Sequence, residues 1–204
     1  MSETPDDSSD AVSAALRLAG ERGWRAVSLR DIAAASGVPL ARLQREFPCK
    51  TSVLLAYAKS VERRASEAPA PFDPEDTVRD RLFELLMQRI DILSEEKQAV
   101  SRILRDLPAD PVGTVAAAPE VLRLMAAILD QAGVSSAGPV GWLRCKGLAA
   151  VWLATLWVWA GDESPDYART MAALDRNLRR AEPFARLLAG VPSAPRSGVA
   201  PGGF

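Results

Sequence analysis

The side chains best suited to chemistry in this chain lie on a short segment between two helix-breaking residues, Gly37 and Pro48. Helical spacing turns five of its residues outward: Leu40, Ala41, Arg42, Gln44 and Arg45. The guanidinium of Arg42 can bond guanine at two acceptors, and the amide of Gln44 can bond adenine in the same way. Three cations suit phosphates: Arg30, Arg45 and Lys50. The segment therefore predicts a surface that could read double-stranded DNA.

Two short helices are expected to position these side chains. Ser28 suits an N-cap, and Asp31 stands where a carboxylate completes a capping box. Gly37 ends the first helix, because glycine adopts left-handed backbone angles without strain. On the second helix, Leu43 and Phe47 are four residues apart and face inward. This is the layout of a helix-turn-helix, although a helical hairpin that only packs has the same pattern.

The flanking sequence carries a resemblance that favours DNA. Residues 11–60 hold a first helix ending in E-R-G, an S-L-R-D-I-A start, G-V at the corner and L-Q-R-E-F-P-C-K. Together these resemble the N-terminal DNA-binding domain of TetR-family transcriptional regulators. The resemblance implies DNA contacts at Ser28, Arg30, Leu40, Ala41, Arg42, Gln44, Glu46 and Lys50. Leu40, Gln44 and Glu46 depart from the usual residues, and Glu46 would repel phosphates unless it faces cytosine or pairs with Arg42.

Composition argues against several other classes of protein. The chain has 204 residues, 48% of them hydrophobic, and a net charge of −1. It contains no histidine, two cysteines far apart and no phosphate-binding glycine loop, so we expect no enzyme, no metal site and no cofactor. The first ten residues are acidic and lack an apolar stretch, so we expect no secretion signal. The two distant cysteines do not form a disulfide framework, which favours a reducing cytoplasm.

Apolar periodicity predicts an all-α, TetR-like fold of about nine helices, since no alternating strand pattern appears. The chain is expected to divide into five parts. Residues 1–9 form a disordered tail, 10–67 a helix-turn-helix domain with a connecting helix, 68–74 a proline-rich linker, 75–190 a helical ligand-binding and dimerisation domain, and 191–204 a second disordered tail. Pro119 is expected to break a helix, and Pro183 to kink or split the last one.

The stretch from Gly147 to Gly161 carries no charge, but its 15 residues fall short of the roughly 20 that span a bilayer, so no stable membrane insertion is expected. Such a helix belongs in a core or between subunits. A small-residue face and the following heptad seam predict a homodimer through a four-helix bundle of 142–160 and 165–189. Its expected interface residues are Gly147, Ala150, Ala154, Leu174 and Leu178.

Four of the five tryptophans fall between residues 142 and 159, and three methionines lie on neighbouring helices. Tryptophan and methionine make adaptable apolar pockets, so we expect a site for a small lipid-like or aromatic effector; plain core packing is the alternative. The expected lining residues are Met87, Met125, Trp142, Trp152, Leu156, Trp159 and Met171.

The second half of the chain has a resemblance of its own. A W-L-R-C-K-G-L start, an apolar aromatic helix, a D-E-S-P-D turn and a final helix with spaced arginines resemble the lipid-binding proteins of coenzyme Q biosynthesis. That family shares the TetR-like fold, binds isoprenoid lipids and does not repress genes. The sequence thus predicts a ligand-responsive transcriptional regulator, a repressor that binds a palindromic operator as a homodimer. The alternative is a lipid-binding protein that does not bind DNA.

Overall fold

The structure is a computed structural model that describes residues 5–73 and 75–189. Within these ranges the chain forms nine α-helices and two short 3-10 turns, Trp24–Ala26 and Leu107–Ala109, and no strand. The helices are α1 Pro5–Arg22, α2 Leu29–Ser36, α3 Leu40–Glu46, α4 Lys50–Glu67, α5 Val78–Ser94, α6 Lys97–Asp106, α7 Pro111–Gln131, α8 Gly138–Ala160 and α9 Ala168–Ala189. The predicted all-α architecture is confirmed.

The head of the molecule consists of α1 to α3 and the start of α4. Its core holds the large side chains of Trp24 and Ile32 together with Leu43 and Phe47, the two residues that the sequence predicts to face inward. Their burial drives α2 and α3 onto α1, because helices as short as α2 and α3 are marginal on their own. The head therefore exists as a folded unit through tertiary packing.

The body consists of α5 to α9, around a second core that includes Leu86, Ile90, Ile128 and Leu174. Helix α6 belongs to both cores: Ala99 and Ile103 pack in the head, whereas Val100 and Leu104 pack in the body. The head is thus seated on the body through α6 as well as through the connecting helix α4.

Three helices, α1, α7 and α9, differ from the sequence prediction. Helix α1 begins at Pro5 and not at Ala11, so residues 5–9 of the predicted tail are helical. Proline at the first helical position and the acidic residues after it favour this start. Helix α7 runs unbroken through Pro119. Its first half is largely exposed, so water can bond the carbonyl that proline leaves without a partner. Pro74 and the predicted tail 191–204 lie outside the described residues.

A buried carboxylate, Asp162, organises the turn before α9. It accepts hydrogen bonds from the backbone N–H and hydroxyl of Ser164, at 3.1 and 2.5 Å, and from the same groups of Thr170, at 2.8 and 2.7 Å. Burial alone would raise the pKa of Asp162, but these four bonds hold it well below its usual range. Helix α9 consequently begins at Ala168, later than the start of the predicted bundle helix 165–189, and continues without a break past Pro183.

Candidate functional site

The turn that precedes α2 is fixed by the predicted capping box. The Ser28 N–H donates to Asp31 Oδ2 at 2.9 Å, and the Asp31 N–H donates to Ser28 Oγ at 3.2 Å. The hydrogen bond from the Ser28 side chain is the main reason that the pKa of Asp31 lies below its usual value. At the other end of α2, Gly37 has φ 74°, the left-handed conformation that turns the chain into α3.

Helix α3 presents most of the predicted DNA-contacting side chains to solvent. Ala41, Arg42, Gln44 and Arg45 are exposed, as is Glu46, and Ser28 and Arg30 at the start of α2 are exposed beside them. Leu40 differs from the prediction, because it is half-buried against the core of the head. The structure therefore brings together a small polar surface in which Arg42, Gln44 and Arg45 carry the groups able to contact bases and phosphates.

The first turn of α1 lies against this polar surface, a contact that the sequence reasoning missed. Arg42 forms an ion pair with Asp7, and the Ser8 hydroxyl donates to the Glu46 carboxylate. Arg42 therefore pairs with Asp7 and not with Glu46, whose carboxylate accepts a hydrogen bond from α1. The sequence does contain a sign of this contact, because Pro5 followed by acidic residues is typical of a helix start. A first helix that begins one turn earlier extends far enough to contact α3.

Lys50 is engaged inside the head. Its Nζ donates to the carbonyls of Trp24 and Val27, at 3.0 and 3.2 Å, and lies 5.1 Å from the centre of the Trp24 ring. The side chain is half-buried. Lys50 thus ties the start of α4 to the turn after α1, and two of its three donors are unavailable to the phosphate that the sequence reasoning assigned to it.

Four polar or close contacts join the head to the body. Arg25 donates its backbone N–H to Asp106 Oδ2, and Arg102 donates to the Glu21 carbonyl, both at 3.0 Å. Thr51 donates to Asp110 Oδ2 at 3.4 Å. Gly20 on α1 faces Ala99 on α6, and a Cβ added at Gly20 would lie at an ordinary contact distance of 3.7 Å from the Ala99 side chain. The position of α6 and of the turn before α7 therefore sets the position of the head.

A cavity of about 540 Å³ lies between α4, α7 and α8, with α5 and α6 at its floor. This volume is within the range of small-molecule sites. Its surface is almost wholly apolar, with lining residues such as Leu54, Val61, Leu104, Val121 and Ile128. Glu62 and Arg89 lie in its wall as an ion pair, and Thr51, which bonds Asp110, lies in it as well. The cavity therefore touches both the apolar core and the junction with the head.

Three of the predicted pocket residues line this cavity: Met125, Trp152 and Leu156. The other four do not. Met87 and Trp159 are buried in the body core, and the Trp159 indole N–H donates to Ser94 Oγ at 3.2 Å. Met171 is half-buried against the same core, and Trp142 is 54% exposed. A tryptophan or methionine at helical spacing serves core, cavity or surface equally well, so spacing alone does not distinguish them.

Helix α4 supplies a wall that the sequence reasoning did not assign to the cavity. Leu54, Tyr57, Ala58 and Val61 line it from the helix that also carries the head. Burial is the main cause that raises the pKa of Tyr57 to about 12, so its hydroxyl stays protonated. The apolar spacing of α4 was visible in the sequence, but its use as a cavity wall depends on where α7 and α8 lie.

Helix α7 covers the cavity and has an apolar outer side. Thr114, Ala117 and Val121 face the cavity, whereas Val112 and Val115 are 79% and 72% exposed. Among the described residues, α7 is the one helix whose length and composition would allow it to cross a membrane. Such a composition also suits a helix with a ligand cavity beneath it.

One exposed face of α8 is an apolar stripe that adjoins the cavity, because Ala150 and Leu153 of this stripe also line the cavity. Trp142, Leu153 and Trp157 are 54%, 44% and 49% exposed. Ala150 and Ala154, two of the predicted interface residues, lie exposed on the same helix, and Gly147 is half-buried. Leu174 and Leu178, the other two predicted interface residues, do not belong to this face, because both are buried in the core of the body. The stripe is defined here by Trp142, Ala150, Leu153, Ala154 and Trp157.

Two family models match the chain, one in each half. Residues 11–57 match the model of bacterial regulatory proteins, tetR family, and residues 114–185 match the COQ9 model. Both resemblances noted in the sequence are therefore confirmed over these ranges. None of the curated proteins gives a match.

Solved structures of the same fold come from several bacteria. A TetR transcriptional regulator from Rhodococcus sp. RHA1 is 18% identical, with a TM-score of 0.65 over 86% of this chain and 94% of that one. A TetR regulator from Nitrosomonas europaea is 23% identical, with a TM-score of 0.63 over 86% and 97%. Thermus thermophilus FadR, a TetR-family repressor solved with lauroyl-CoA, is 23% identical, with a TM-score of 0.54 over 96% and 100%. These similarities confirm the TetR-like fold.

Proposed function

We propose that this chain, with a tetR-type head on a TetR-like fold, is a ligand-responsive DNA-binding regulator of transcription that works in the cytoplasm. The observation that carries the proposal is the exposed polar surface of α3, with Arg42, Gln44 and Arg45 presented by a buried helix-turn-helix core. A short helix held in this way fits the major groove, where its side chains can reach base edges.

The proposed regulator is a homodimer on a palindromic operator. One α3 reads few base pairs, whereas two heads related by a twofold axis reach successive major grooves. The exposed stripe of α8 supports this arrangement, because tryptophan and leucine side chains so exposed leave apolar area in water unless a partner covers them. Small residues within the stripe, Ala150 and Ala154, allow a second helix to approach closely. We propose repression as the mode of action, since such a dimer occupies the promoter.

An apolar effector is proposed to act through the cavity. The cavity wall includes Thr51, and Thr51 bonds Asp110 at the junction between head and body. A ligand that binds one arrangement of α4 and α7 better than another would shift the heads accordingly, and only by that difference in affinity. The apolar lining favours a lipid-like or aromatic molecule over a sugar or a nucleotide.

The proposal is tested by DNA binding with two matched arginine variants. Full-length protein is titrated with DNA from upstream of its own gene and with random DNA of equal length, at two salt concentrations. We expect Arg42→Ala to cost about 1–3 kcal/mol on the best site and to relax sequence preference. Arg45→Ala, which removes a phosphate-contacting cation, should weaken both DNAs alike and lower the salt dependence. Equal losses on both DNAs from both variants would contradict the assignment.

A second function is supported by the COQ9 match at residues 114–185 and by the pairing of Arg42 with Asp7. Both observations suit a lipid-binding protein whose head no longer reads DNA. The same titration separates the two proposals: absence of salt-dependent binding to any DNA, together with lipid binding in the cavity, would establish this alternative.

A further inference from the structure

The wall of the cavity contains a buried ion pair in a surface that is otherwise almost wholly apolar. Arg89 on α5 is 2% exposed, and its Nε and Nη2 donate to Glu62 Oε2 and Oε1 on α4, at 2.7 and 2.6 Å. Both residues line the cavity. Two parallel bonds of this kind fix the orientation of both side chains, because the planar guanidinium matches the carboxylate.

The pair is closed by a third side chain from the C-terminal end of α7. Gln131 Nε2 donates to Glu62 Oε1 at 3.0 Å, while Gln131 Oε1 accepts from Arg89 Nη2 at 3.0 Å. Arg89 Nη1 donates to the Leu85 carbonyl at 2.7 Å. The positive and negative charges therefore cancel within the wall, and most of their hydrogen-bonding capacity is used.

The consequence for a ligand is a polar spot without net charge. A hydroxyl or amide group of a ligand can use the remaining lone pair of Glu62 or the remaining N–H of Arg89 without creating an unpaired charge. A carboxylate would lose its water beside Glu62, which repels it, while Arg89 is already neutralised. An ammonium group would lose its water beside Arg89, which repels it, while the charge of Glu62 is already neutralised.

One further charged side chain among the described residues lines the cavity, Lys146 on α8. It is exposed, and its Nζ lies 4.0 Å from the centre of the Trp142 ring. An acidic ligand could instead leave its carboxylate in solvent near Lys146. This is the competing arrangement that an experiment has to distinguish.

We infer that the Glu62–Arg89 pair makes the cavity select uncharged amphiphiles, such as long-chain alcohols, phenols or amides, over acids of the same length. The inference rests on the proposed ligand cavity and names the class of its effector. Glu62 is the specificity-determining residue, because it cancels the charge of Arg89, the one buried cation that the described part of the chain places in the cavity wall.

The test compares 1-decanol with decanoate, which share an alkyl chain and differ in the charge of the head group. Binding to the full-length protein is followed by tryptophan fluorescence and calorimetry. We expect the wild-type protein to bind decanol about tenfold or more tightly than decanoate, since the acid must desolvate a charge without a free partner. In Glu62→Gln the charge of Arg89 is no longer cancelled, and the preference should reverse toward decanoate.

Glu67→Gln is the matched control. Glu67 lies on the same helix, is exposed and pairs with Arg63 on the surface, so its change removes the same charge away from the cavity and should alter neither affinity. Lys146→Met tests the competing arrangement. If wild-type protein prefers decanoate and loses it in Lys146→Met, the carboxylate lies near solvent and the inference is overturned.

Should Glu62→Gln melt too low for titration, the variant Glu62→Met/Arg89→Met removes both charges and the hydrogen-bonding groups of the pair. Its decanol affinity should fall about three- to tenfold with no gain for decanoate, as expected for a lost neutral hydrogen bond. An unchanged decanol affinity in this variant would overturn the inference. If neither compound binds wild-type protein, the proposed effector cavity itself fails, which is a separate outcome from binding without the expected preference.

Discussion

The contact between Asp7 and Arg42 predicts that the protein weakens its own DNA binding. Arg42 cannot bond a guanine at two acceptors while its guanidinium pairs with Asp7, so the ion pair must open when DNA binds. We therefore expect Asp7→Asn to raise affinity for DNA. The change keeps the size of the side chain and leaves α1 with the same backbone.

The structure limits how large this gain can be. The side chains of Arg42 and Asp7 are 44% and 26% exposed, so water screens the pair. Pairs of this kind contribute about 0.2–1 kcal/mol, which corresponds to a gain of roughly 1.5- to fivefold in affinity. Asp10→Asn is the matched control: it removes the same charge one turn further along α1, and Asp10 forms no ion pair with a described residue.

The assay is a competition titration of labelled operator DNA by fluorescence anisotropy at low and at physiological salt. We expect the Asp7→Asn variant to bind operator DNA more tightly than the Asp10→Asn variant. This difference should vanish in an Arg42→Ala background, because the pair between Asp7 and Arg42 no longer exists there. Identical affinities for the two Asn variants would mean that Asp7 acts only through net charge. A weaker Asp7→Asn variant would refute the idea outright.

Two further predictions concern assembly and acid stability. Ala154→Glu places a charge in the exposed stripe of α8 and should convert the proposed dimer to monomers in sedimentation. The control Ala116→Glu, on the exposed side of α7, should leave the dimer intact. A wild-type protein that sediments as a monomer would refute the interface. Because the folded-state pKa of Asp162 is depressed, its contribution to stability is complete above the unfolded pKa of about 4 and is lost as pH falls below it. Urea midpoints should therefore fall more steeply below that pH in wild-type protein than in Asp162→Asn, and parallel curves would contradict this.

The features that the sequence predicts well are the ones that local chemistry determines. Ser28 and Asp31 form the capping box, Gly37 takes the left-handed conformation, and Leu43 and Phe47 are buried. Each depends on residues within one or two turns, where cap and periodicity rules apply. The exposure of Arg42, Gln44 and Arg45 follows from the same periodicity.

The features that the sequence did not reveal depend on contacts between distant segments. Lys50 bonds carbonyls more than twenty residues earlier, and Arg42 pairs with Asp7 across the head. The cavity lies where α4, α7 and α8 face one another, so its lining could not follow from the tryptophan spacing of α8 alone. Trp159 shows the ambiguity, since the same spacing places it in the core with Ser94.

The two walls of the cavity differ in how freely they can change during evolution. Residues of α4 that face the cavity share a helix with Lys50, so altering them disturbs the element that holds the head. The first half of α7 has a cavity on one side and solvent on the other, and substitutions at Ala117 or Val121 leave the head core intact. For a ligand-responsive regulator of the kind proposed, new ligand preferences can therefore accumulate on α7 while the DNA-contacting surface of α3 is retained. For the construction of biosensors, a library confined to α7 is the natural place to retune the proposed effector cavity.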